Sequence, residues 1–286
     1  MSELVALRYV KGHGTANDFV VLPDPDADLD LTPALVRALC DRRTGLGADG
    51  VLRVVAADCM PGEAVPDDPD ARWFMDYRNA DGSIAEMCGN GIRVFARYLV
   101  DAGFATPGRM RIATRAGVKT VDAFPDGNIT VDMGPAARLD VNGCTVSLGG
   151  RSYDGTAVSM GNPHVVVVVD DPKSLGDLSG LEVQPSDAFP DGVNVEFVAQ
   201  PNGNAFVVRV HERGVGETFS CGTGACAVVA ALADGDTTSA YTVDLPGGRL
   251  QITRCDGDRM LLSGPAVLVA QGVLREEWLA ALSETA

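Results

Sequence analysis

The sequence has little positive charge and no apolar run long enough to cross a membrane. Lys and Arg number 23 against 39 Asp and Glu, a formal net charge of −16, and they form no basic cluster. Because binding to a phosphate backbone depends on clustered basic side chains, we expect no nucleic-acid partner. The longest aliphatic runs, "VVVVV" and "AVVAALA", are far shorter than the roughly 20 residues of a spanning helix, and the start lacks the apolar core of a signal peptide. We therefore expect a soluble, cytoplasmic protein without a membrane partner.

Paired cysteines are also missing. The seven cysteines are an odd number, and none of them forms a Cys-x-x-Cys motif. A chain of 286 residues with 46% hydrophobic content can fill its own core and does not need disulfides for stability. Reduced thiols are the expectation, and most of them are interpreted as structural.

Short β-rich runs separated by turn signals make up most of the sequence. They include "DFVVL", "WFMDYR", "NVEFVAQ" and "YTVDL", and "PDGN", "PNGN" and "LPGGR" are typical hairpin connections. Helices are predicted only in "TPALVRALC", after Cys88, after Cys221 and in "LREEWLAALSE". The Pro- and Asp-rich segments 23–30 and 57–72 are interpreted as surface loops. The predicted class is α+β with mostly antiparallel strands.

The two halves of the sequence resemble each other. Each has strands, then a Cys-Gly-polar-Gly motif, a helix and more strands, which predicts two like domains with a cleft between them. We place one domain at residues 1–134 and the other at 135–265, since a strand pattern gives way to Gly and Pro near residue 134. The C-terminal segment, about 266–286, is expected to return to the first domain.

The Cys-Gly motifs, "EMCGNGIRVF" and "FSCGTGACAV", each open an apolar stretch with helical spacing. The start of a buried helix has free backbone N–H groups and a partial positive charge, and glycines let a ligand approach closely. Such a helix start binds anions and lowers the pKa of a thiol placed there. Cys88 and Cys221 both occupy this position. A Gly-rich turn beside a buried structural cysteine is the alternative for either motif alone.

Two such thiols in one site would invert a stereocentre. A thiolate removes a proton from carbon while the other thiol delivers one to the opposite face. The helix starts would hold the carboxylate on that carbon and stabilise the charge that develops on it. No Lys lies in a context typical of a Schiff base, so we expect no pyridoxal phosphate and no other cofactor.

The chain resembles the diaminopimelate epimerase family in six ordered motifs. These are "KGHGTANDFVVL", "DRRTGLGADG", "NADGSIAEMCGNGIRVFARY", "VSMGNPHVV", "FPDGVNVEFV" and "RVHERGVGETFSCGTGACA". The resemblance spans roughly residues 8–275. It implies two pseudo-symmetric domains, each with a mixed sheet wrapped around a central helix. It also implies an active site between the domains, epimerisation of LL- and meso-2,6-diaminopimelate in lysine and peptidoglycan precursor synthesis, and a possible homodimer.

The resemblance also implies roles for individual residues. Cys88 and Cys221 match the catalytic base and acid, whose roles swap with the direction of reaction. The helix-start groups that hold the reacting carboxylate match Gly89, Asn90, Gly222 and Thr223. The side chains that bind the amino and carboxyl groups match Asn17, Asn79, Asn162 and Asn194. The clamp on the distal carboxylate matches Arg213, and the residues beside the reacting centre match Glu212 and His164. Seen alone, Asn in such contexts is more often a turn former than a ligand. His164 is equally typical of a hydrogen-bonded histidine at a strand end, and Glu212 and Arg213 of a surface pair.

Two positions depart from the family pattern. Gly50 stands where the family often has Gln, and Ala16 stands where Gly is frequent. Neither belongs to the catalytic pair, and both concern the near end of the substrate pocket.

Three alternatives remain at this stage. A proline or hydroxyproline racemase would have a similar build, but that group typically carries His at the position of Asn90. A non-catalytic amino-acid-binding or thiol redox protein could use Cys88 and Cys221 as a switch. A zinc site made of Cys88, Cys221, His164 and His211 is disfavoured, because no two of these residues have the usual ligand spacing.

Overall fold

The chain forms two compact units. A computed structural model describes residues 7–60, 65–233 and 239–284. Unit 1 comprises Met1–Val131 with Pro265–Ala286, and unit 2 comprises Asp132–Gly264. The sequence analysis placed the domain boundaries after residues 134 and 265, and the structure places the unit boundaries after residues 131 and 264.

Strands dominate the secondary structure. Within the described residues the helices are α1 (Pro33–Cys40), α2 (Gly89–Asp101), α3 (Gly222–Leu232) and α4 (Glu276–Glu284). Over the same residues the strands are β1 (Arg8–Gly14), β2 (Asn17–Pro23), β3 (Gly50–Ala56), β4 (Trp73–Asn79), β5 (Gly108–Thr114), β6 (Gly117–Ala123), β7 (Asn128–Pro135), β8 (Ala137–Arg138), β9 (Thr145–Leu148), β10 (Arg151–Ser159), β11 (Pro163–Val168), β12 (Glu182–Gln184), β13 (Asn194–Asn202), β14 (Ala205–Glu212), β15 (Gly216–Thr218), β16 (Ala240–Leu245), β17 (Gly248–Arg254), β18 (Arg259–Pro265) and β19 (Val267–Val273).

The two units repeat one strand topology. In unit 1 the hydrogen-bonded order is β19-β1-β2-β3-β4-β5-β6-β7, where β2–β3 and β4–β5 are parallel and the other pairs antiparallel. In unit 2 the order is β8-β10-β11-β13-β14-β16-β17-β18, where β11–β13 and β14–β16 are parallel and the rest antiparallel. The parallel pairs fall at the same two places in each series. The α+β class and the internal repeat are therefore confirmed.

Each unit has one helix buried against its strands. Parallel neighbours need a crossover connection, and α2 joins β4 to the parallel β5 as α3 joins β14, through β15, to the parallel β16. Helix α2 packs against β1, β2, β6 and β19, and α3 packs against β10, β11, β13 and β17. Nearly every side chain of both helices is buried. The prediction of two buried core helices is confirmed.

Local sequence signals set most element ends. Thr32 caps α1 by accepting the backbone N–H of Leu35 at 3.2 Å, and Pro33 occupies the first helical position. The three turn sequences "PDGN", "PNGN" and "LPGGR" each join antiparallel neighbours. Helix α4 begins at Glu276, two residues after the start of the predicted run at Leu274. No described helix has the length and apolar character needed to cross a membrane.

The prediction missed β1, β9, β10 and β18, and it misjudged two further patterns. The run "GVLRVVA" was not predicted as a strand, yet it forms β3, whose first six residues are all buried. Part of the segment 23–30 is not surface loop, because the Asp24 carboxylate is buried and forms an ion pair with the buried Arg53. An acidic residue at the end of one strand can enter the interior when a basic residue of the next strand pairs with it. Residues 61–64 of the other predicted loop lie outside the described residues.

Candidate active site

Cys88 is the N-cap of helix α2. Its backbone is extended, with φ −140° and ψ 123°, and its Sγ accepts the backbone N–H of Gly91 at 3.4 Å. The sulfur thus takes the place of the Ser or Asp oxygen that usually satisfies this N–H. A side chain at Gly91 would place a Cβ 3.3 Å from the Cβ of Cys88, so glycine leaves room for the thiol. The predicted position of Cys88 at a buried helix start is confirmed.

Asn17 and Asn90 lie beside the Cys88 thiol. The Asn17 Oδ1 is 3.6 Å from the Cys88 Sγ and 3.2 Å from the Asn90 Nδ2. The Asn17 Nδ2 donates to the Asp49 Oδ2 at 2.7 Å, and Asp49 in turn accepts from Arg42 at 2.8 Å. Because Asp49 engages the amide nitrogen, the carbonyl oxygen of Asn17 faces Cys88, which then donates as a thiol. Asp49, which the sequence analysis did not select, orients this side chain.

Asn79 and Gly89 complete the predicted residues of unit 1. Asn79 ends β4 and its Nδ2 donates to the Ser83 Oγ at 3.0 Å across a tight turn. Gly89 is the first residue of α2 and is buried. The structure therefore brings Asn17, Cys88 and Asn90 into direct contact, and it records no hydrogen bond from Asn79 to that group among the described residues.

In unit 2, strand register places the polar candidates on one face of the sheet. His164 of β11 is directly opposite Asn194 of β13. Glu196, two residues further along β13, is opposite Val210 of β14, which is opposite Thr218 of β15. Since side chains alternate along a strand and paired residues share a face, five polar side chains of β11, β13, β14 and β15 lie on one face. They are His164, Asn194, Glu196, Glu212 and Thr218.

Cys221 is the N-cap of helix α3, as Cys88 is of α2. Its Sγ accepts the backbone N–H of Gly224 at 3.4 Å and lies 3.4 Å from the Thr223 Oγ1. Gly222, the first residue of α3, is buried. Glu212 lies near this thiol and hydrogen-bonds to it, and its Oε1 accepts from the Thr218 hydroxyl at 2.6 Å. The structure thus joins Cys221, Glu212 and Thr223, and it adds Thr218, which the sequence analysis missed.

The pKa of Cys221 differs from the expectation for a helix start. Burial raises this pKa well above its ordinary value, and the negative charges of Glu212 and Glu196 raise it further. Hydrogen bonds from Thr223 and Gly224 act in the opposite direction but do not compensate. The expectation of a lowered pKa was therefore wrong for Cys221, because desolvation and two carboxylates outweigh the helix start. Cys221 is held as a thiol.

Glu212 also has a perturbed pKa. Burial raises the pKa of its carboxyl group, and the neighbouring charge of Glu196 acts in the same direction. The hydrogen bonds with Thr218 and Cys221 and the charge of His164 oppose that rise. A carboxyl group with a raised pKa next to a thiol is suited to proton transfer.

His164 lies in a buried relay. Its Nδ1 is 2.7 Å from the Glu196 Oε1, and its Nε2 is 3.1 Å from the Asn162 Oδ1. Both His164 and Glu196 have side chains with 0% exposure. The sequence analysis missed Glu196, although a single acidic residue within the apolar strand run "NVEFV" was the available signal. His164 is thus a paired, buried residue that contacts a predicted substrate ligand, Asn162.

Asn194 and Arg213 form the remaining contact. The Asn194 Oδ1 accepts the backbone N–H of Arg213 at 3.0 Å, and its Nδ2 donates to the Pro163 carbonyl at 3.2 Å. Arg213 is exposed, and among the described residues its guanidinium has no ion-pair partner. Such a group can bind a carboxylate in a bidentate manner.

The two departures from the family pattern have local explanations. A Cβ at Gly50 would lie 2.6 Å from the Arg78 carbonyl oxygen and 2.8 Å from the Tyr77 ring, so this backbone leaves no space for a larger residue. Thr15 and Ala16 form the β1–β2 turn with φ of 50° and 63°. The family's frequent Gly at the second position suits this left-handed conformation better than Ala.

Comparison with known proteins connects this geometry to a family. The model of the family described as diaminopimelate epimerase matches residues 9–139 and 156–269. A diaminopimelate epimerase of Streptomyces coelicolor is 52% identical over 282 residues, covering 96% of this chain and 97% of that protein. The chain belongs to the diaminopimelate epimerase family. Cys88 and Cys221 lie within the two matched segments, as do all the other candidate residues.

Solved structures support the fold. A phenazine biosynthesis protein of the PhzF family from Bacillus anthracis has a TM-score of 0.70 at 16% identity, covering 95% of this chain and all of that one. A hydroxyproline epimerase from Agrobacterium vitis has a TM-score of 0.65 at 14% identity, covering 96% and 94%. At these identities the likeness shows the fold that the epimerase family shares with them. Among residues 7–60, 65–233 and 239–284, no group of His, Cys, Asp or Glu could hold a metal ion.

Proposed function

We propose that the chain interconverts LL- and meso-2,6-diaminopimelate by moving the α-proton between Cys88 and Cys221, without a cofactor. Family membership supports an isomerase of this type. The observation that carries the mechanism is the equivalence of the two cysteines. Each is the N-cap of the buried crossover helix, at the same place in two units of the same topology.

In the proposed reaction, one sulfur acts as base and the other as acid. The base thiolate takes the α-proton, and the electron pair of the broken C–H bond passes into the carboxylate group. The thiol on the other side then gives its proton to the same carbon, so the stereocentre inverts and the two sulfurs exchange protonation states. Cys221, held as a thiol, is the proton donor in the free enzyme. Cys88 is then the base in the first turnover, and it has to lose the proton that it donates to the Asn17 Oδ1 before it can take the α-proton.

The remaining candidates would bind the substrate. The backbone N–H groups at the starts of α2 and α3, with Asn90 and Thr223, suit the reacting carboxylate, whose negative charge grows as the proton leaves. Carboxamides both donate and accept, so Asn17, Asn79, Asn162 and Asn194 suit the amino and carboxylate groups of an amino acid. Arg213 suits the distal carboxylate. His164 and Glu212 would support the proton transfers.

The fold and family also suggest where this enzyme works. We propose a cytoplasmic enzyme of lysine and peptidoglycan precursor synthesis that acts on a small molecule and not on nucleic acid or membranes. A homodimer is the proposed assembly. Sedimentation velocity of the purified protein would test it, and a monomer at all concentrations would contradict it.

The decisive experiment is to incubate the reduced protein with LL-diaminopimelate in D₂O without added cofactor. Formation of the meso isomer with deuterium at the inverted carbon is expected. Cys88→Ser and Cys221→Ser should each lose nearly all turnover, whereas Cys59→Ser, which alters an exposed cysteine outside the candidate site, should behave as the wild type. Racemisation of proline or hydroxyproline with no reaction of diaminopimelate would assign the chain to a sister activity. Silence with all of these substrates would support an amino-acid-binding or redox role.

A further inference from the structure

Glu196 places a carboxyl group in an apolar setting. It lies on β13 between Val195 and Phe197, and its side chain is completely buried. Burying an ionised carboxylate is costly unless another group pairs with it. Its Oε1 pairs with the His164 Nδ1 at 2.7 Å, whereas its Oε2 has no hydrogen-bond partner among the described residues. An incompletely satisfied carboxylate of this kind weakens the fold, which indicates a role other than stability.

The helix start is shaped around this carboxylate. A Cβ at Gly224 would lie 2.5 Å from the Glu196 Oε1 and 3.2 Å from its Cδ. Only glycine therefore lets the first turn of α3, which carries Cys221, pack against Glu196. The carboxylate is fixed between this turn and the His164 ring.

The contacts of the His164 ring limit where its protons can lie. The Asn162 Oδ1 can only accept, so the His164 Nε2 carries a proton and donates it at 3.1 Å. The Nδ1 faces a carboxylate oxygen, so a second proton lies in that short contact. Paired with an ionised Glu196 such a ring is an imidazolium, whereas paired with a protonated Glu196 it is a neutral ring with its proton on Nε2. Two other titratable groups interact with this pair: Glu212 of β14, which responds to the His164 charge, and Cys221 of α3, which responds to Glu196.

We propose that Glu196 is a positioning residue, which holds His164 as an imidazolium and thereby fixes the Asn162 amide. With its carbonyl oxygen bound to the ring, Asn162 directs its NH₂ group away from His164, where it can donate two hydrogen bonds to an anion. Glu196 itself touches no substrate. The expected effect of Glu196 on turnover rests on the proposed function, in which Asn162 binds the amino acid. The expected protonation of His164 is independent of that function.

The first test is a spectroscopic one that a purely structural role would not change. The chain has only three histidines, so ¹⁵N-labelled ring nitrogens give a simple spectrum, and a His164→Gln variant assigns the His164 signals. In the wild type at pH 7, both nitrogens of His164 should show chemical shifts of protonated ring nitrogens. In Glu196→Gln, which keeps the size but removes the charge, one of them should move to the shift of a bare nitrogen. Identical His164 spectra in the two proteins would overturn the proposal.

The second test is kinetic. Glu196→Gln should raise KM for diaminopimelate about tenfold and change kcat less, because a binding amide loses its fixed orientation. Glu196→Asp keeps the charge, so both His164 nitrogens should retain the chemical shifts of protonated ring nitrogens. This variant provides a second comparison with the wild type if Glu196→Gln does not fold. Glu182→Gln, an exposed carboxylate on β12, is the matched control and should change neither measurement. A kcat and KM unchanged in Glu196→Gln would contradict the proposal.

The two tests separate this inference from the proposed function. If the wild type does not epimerise diaminopimelate but the His164 signals change as expected, the proposed function fails and the Glu196–His164 relay stands. If epimerisation occurs and the signals do not change, the relay fails and the function stands.

Discussion

The Cys221 Sγ accepts the backbone N–H of Gly224 at 3.4 Å, so the candidate catalytic sulfur is also the cap of its helix. Cys88 has the same relationship to Gly91, at the same distance. A hydroxyl at either position can accept the same N–H, since Ser is among the best N-cap residues. Replacement of Cys by Ser therefore separates chemistry from folding at both positions.

Cys88→Ser and Cys221→Ser should each lower kcat by about 10²–10⁴-fold, the usual contribution of a general acid or base. A hydroxyl is too weak an acid and too weak a base to take the place of the thiol. Thermal unfolding should stay close to the wild type, because the helix caps are kept. Cys144→Ser, which alters a cysteine buried in the core of unit 2, is the comparison. An equal loss of kcat in that variant would show that the assignment of the two cysteines is wrong.

Glu212→Gln should lower the pKa of Cys221. The negative charge of Glu212 opposes formation of the thiolate, so its removal shifts the ionisation of Cys221 to lower pH. The measurement is the pH dependence of alkylation at the peptide that carries Cys221. Glu217→Gln removes an exposed carboxylate that is paired with Arg209, and it should leave that profile in place. A Cys221 profile in Glu212→Gln that matches the wild type would refute the expectation.

Asp18→Asn should destabilise unit 1 in a pH-dependent way. Burial alone would raise the pKa of Asp18, but Arg42 and Lys11 outweigh it and lower the pKa to about 2. A lowered pKa gives stability that is complete above the ordinary value of 3.8 and is lost as pH falls toward 2. The variant should lose about 1 kcal/mol in the free energy of unfolding at pH 7, since the pair is partly exposed, and much less at pH 2, where about half of Asp18 is protonated in the folded state. Urea unfolding at both pH values measures this, and an equal loss at pH 2 would argue against the ion pairs.

Ala16→Gly should stabilise the protein. Ala16 has φ 63°, a conformation that costs a residue with a Cβ about 1–2 kcal/mol, whereas glycine adopts it freely. The greater freedom of glycine in the unfolded chain offsets part of this, which leaves a gain of about 0.5–1 kcal/mol. Ala38→Gly in the middle of α1 should have the opposite effect, a loss of about 1 kcal/mol. Equal losses in both variants, measured by urea unfolding, would show that the turn is not strained.

Local pattern predicted much of the fold. The motif "CGNG" indicated a helix that begins after Cys88, because a Gly-rich turn precedes an apolar stretch with helical spacing. The motif "CGTG" indicated the same after Cys221. "PDGN" and "LPGGR" predicted their hairpins from turn chemistry alone. The strand β3 was missed because an uninterrupted buried run lacks the alternation that identifies a strand with one solvent face.

The family and the positions of both cysteines at helix starts could be read from the sequence, because capping and turn signals act over a few residues. The protonation of Cys221 was decided only by the tertiary structure. Its pKa depends on burial and on Glu196 and Glu212, which come from other strands, and no local pattern records how close those charges lie. The same holds for the His164–Glu196 pair, whose members are 32 residues apart and meet only because β11 and β13 are parallel neighbours in register.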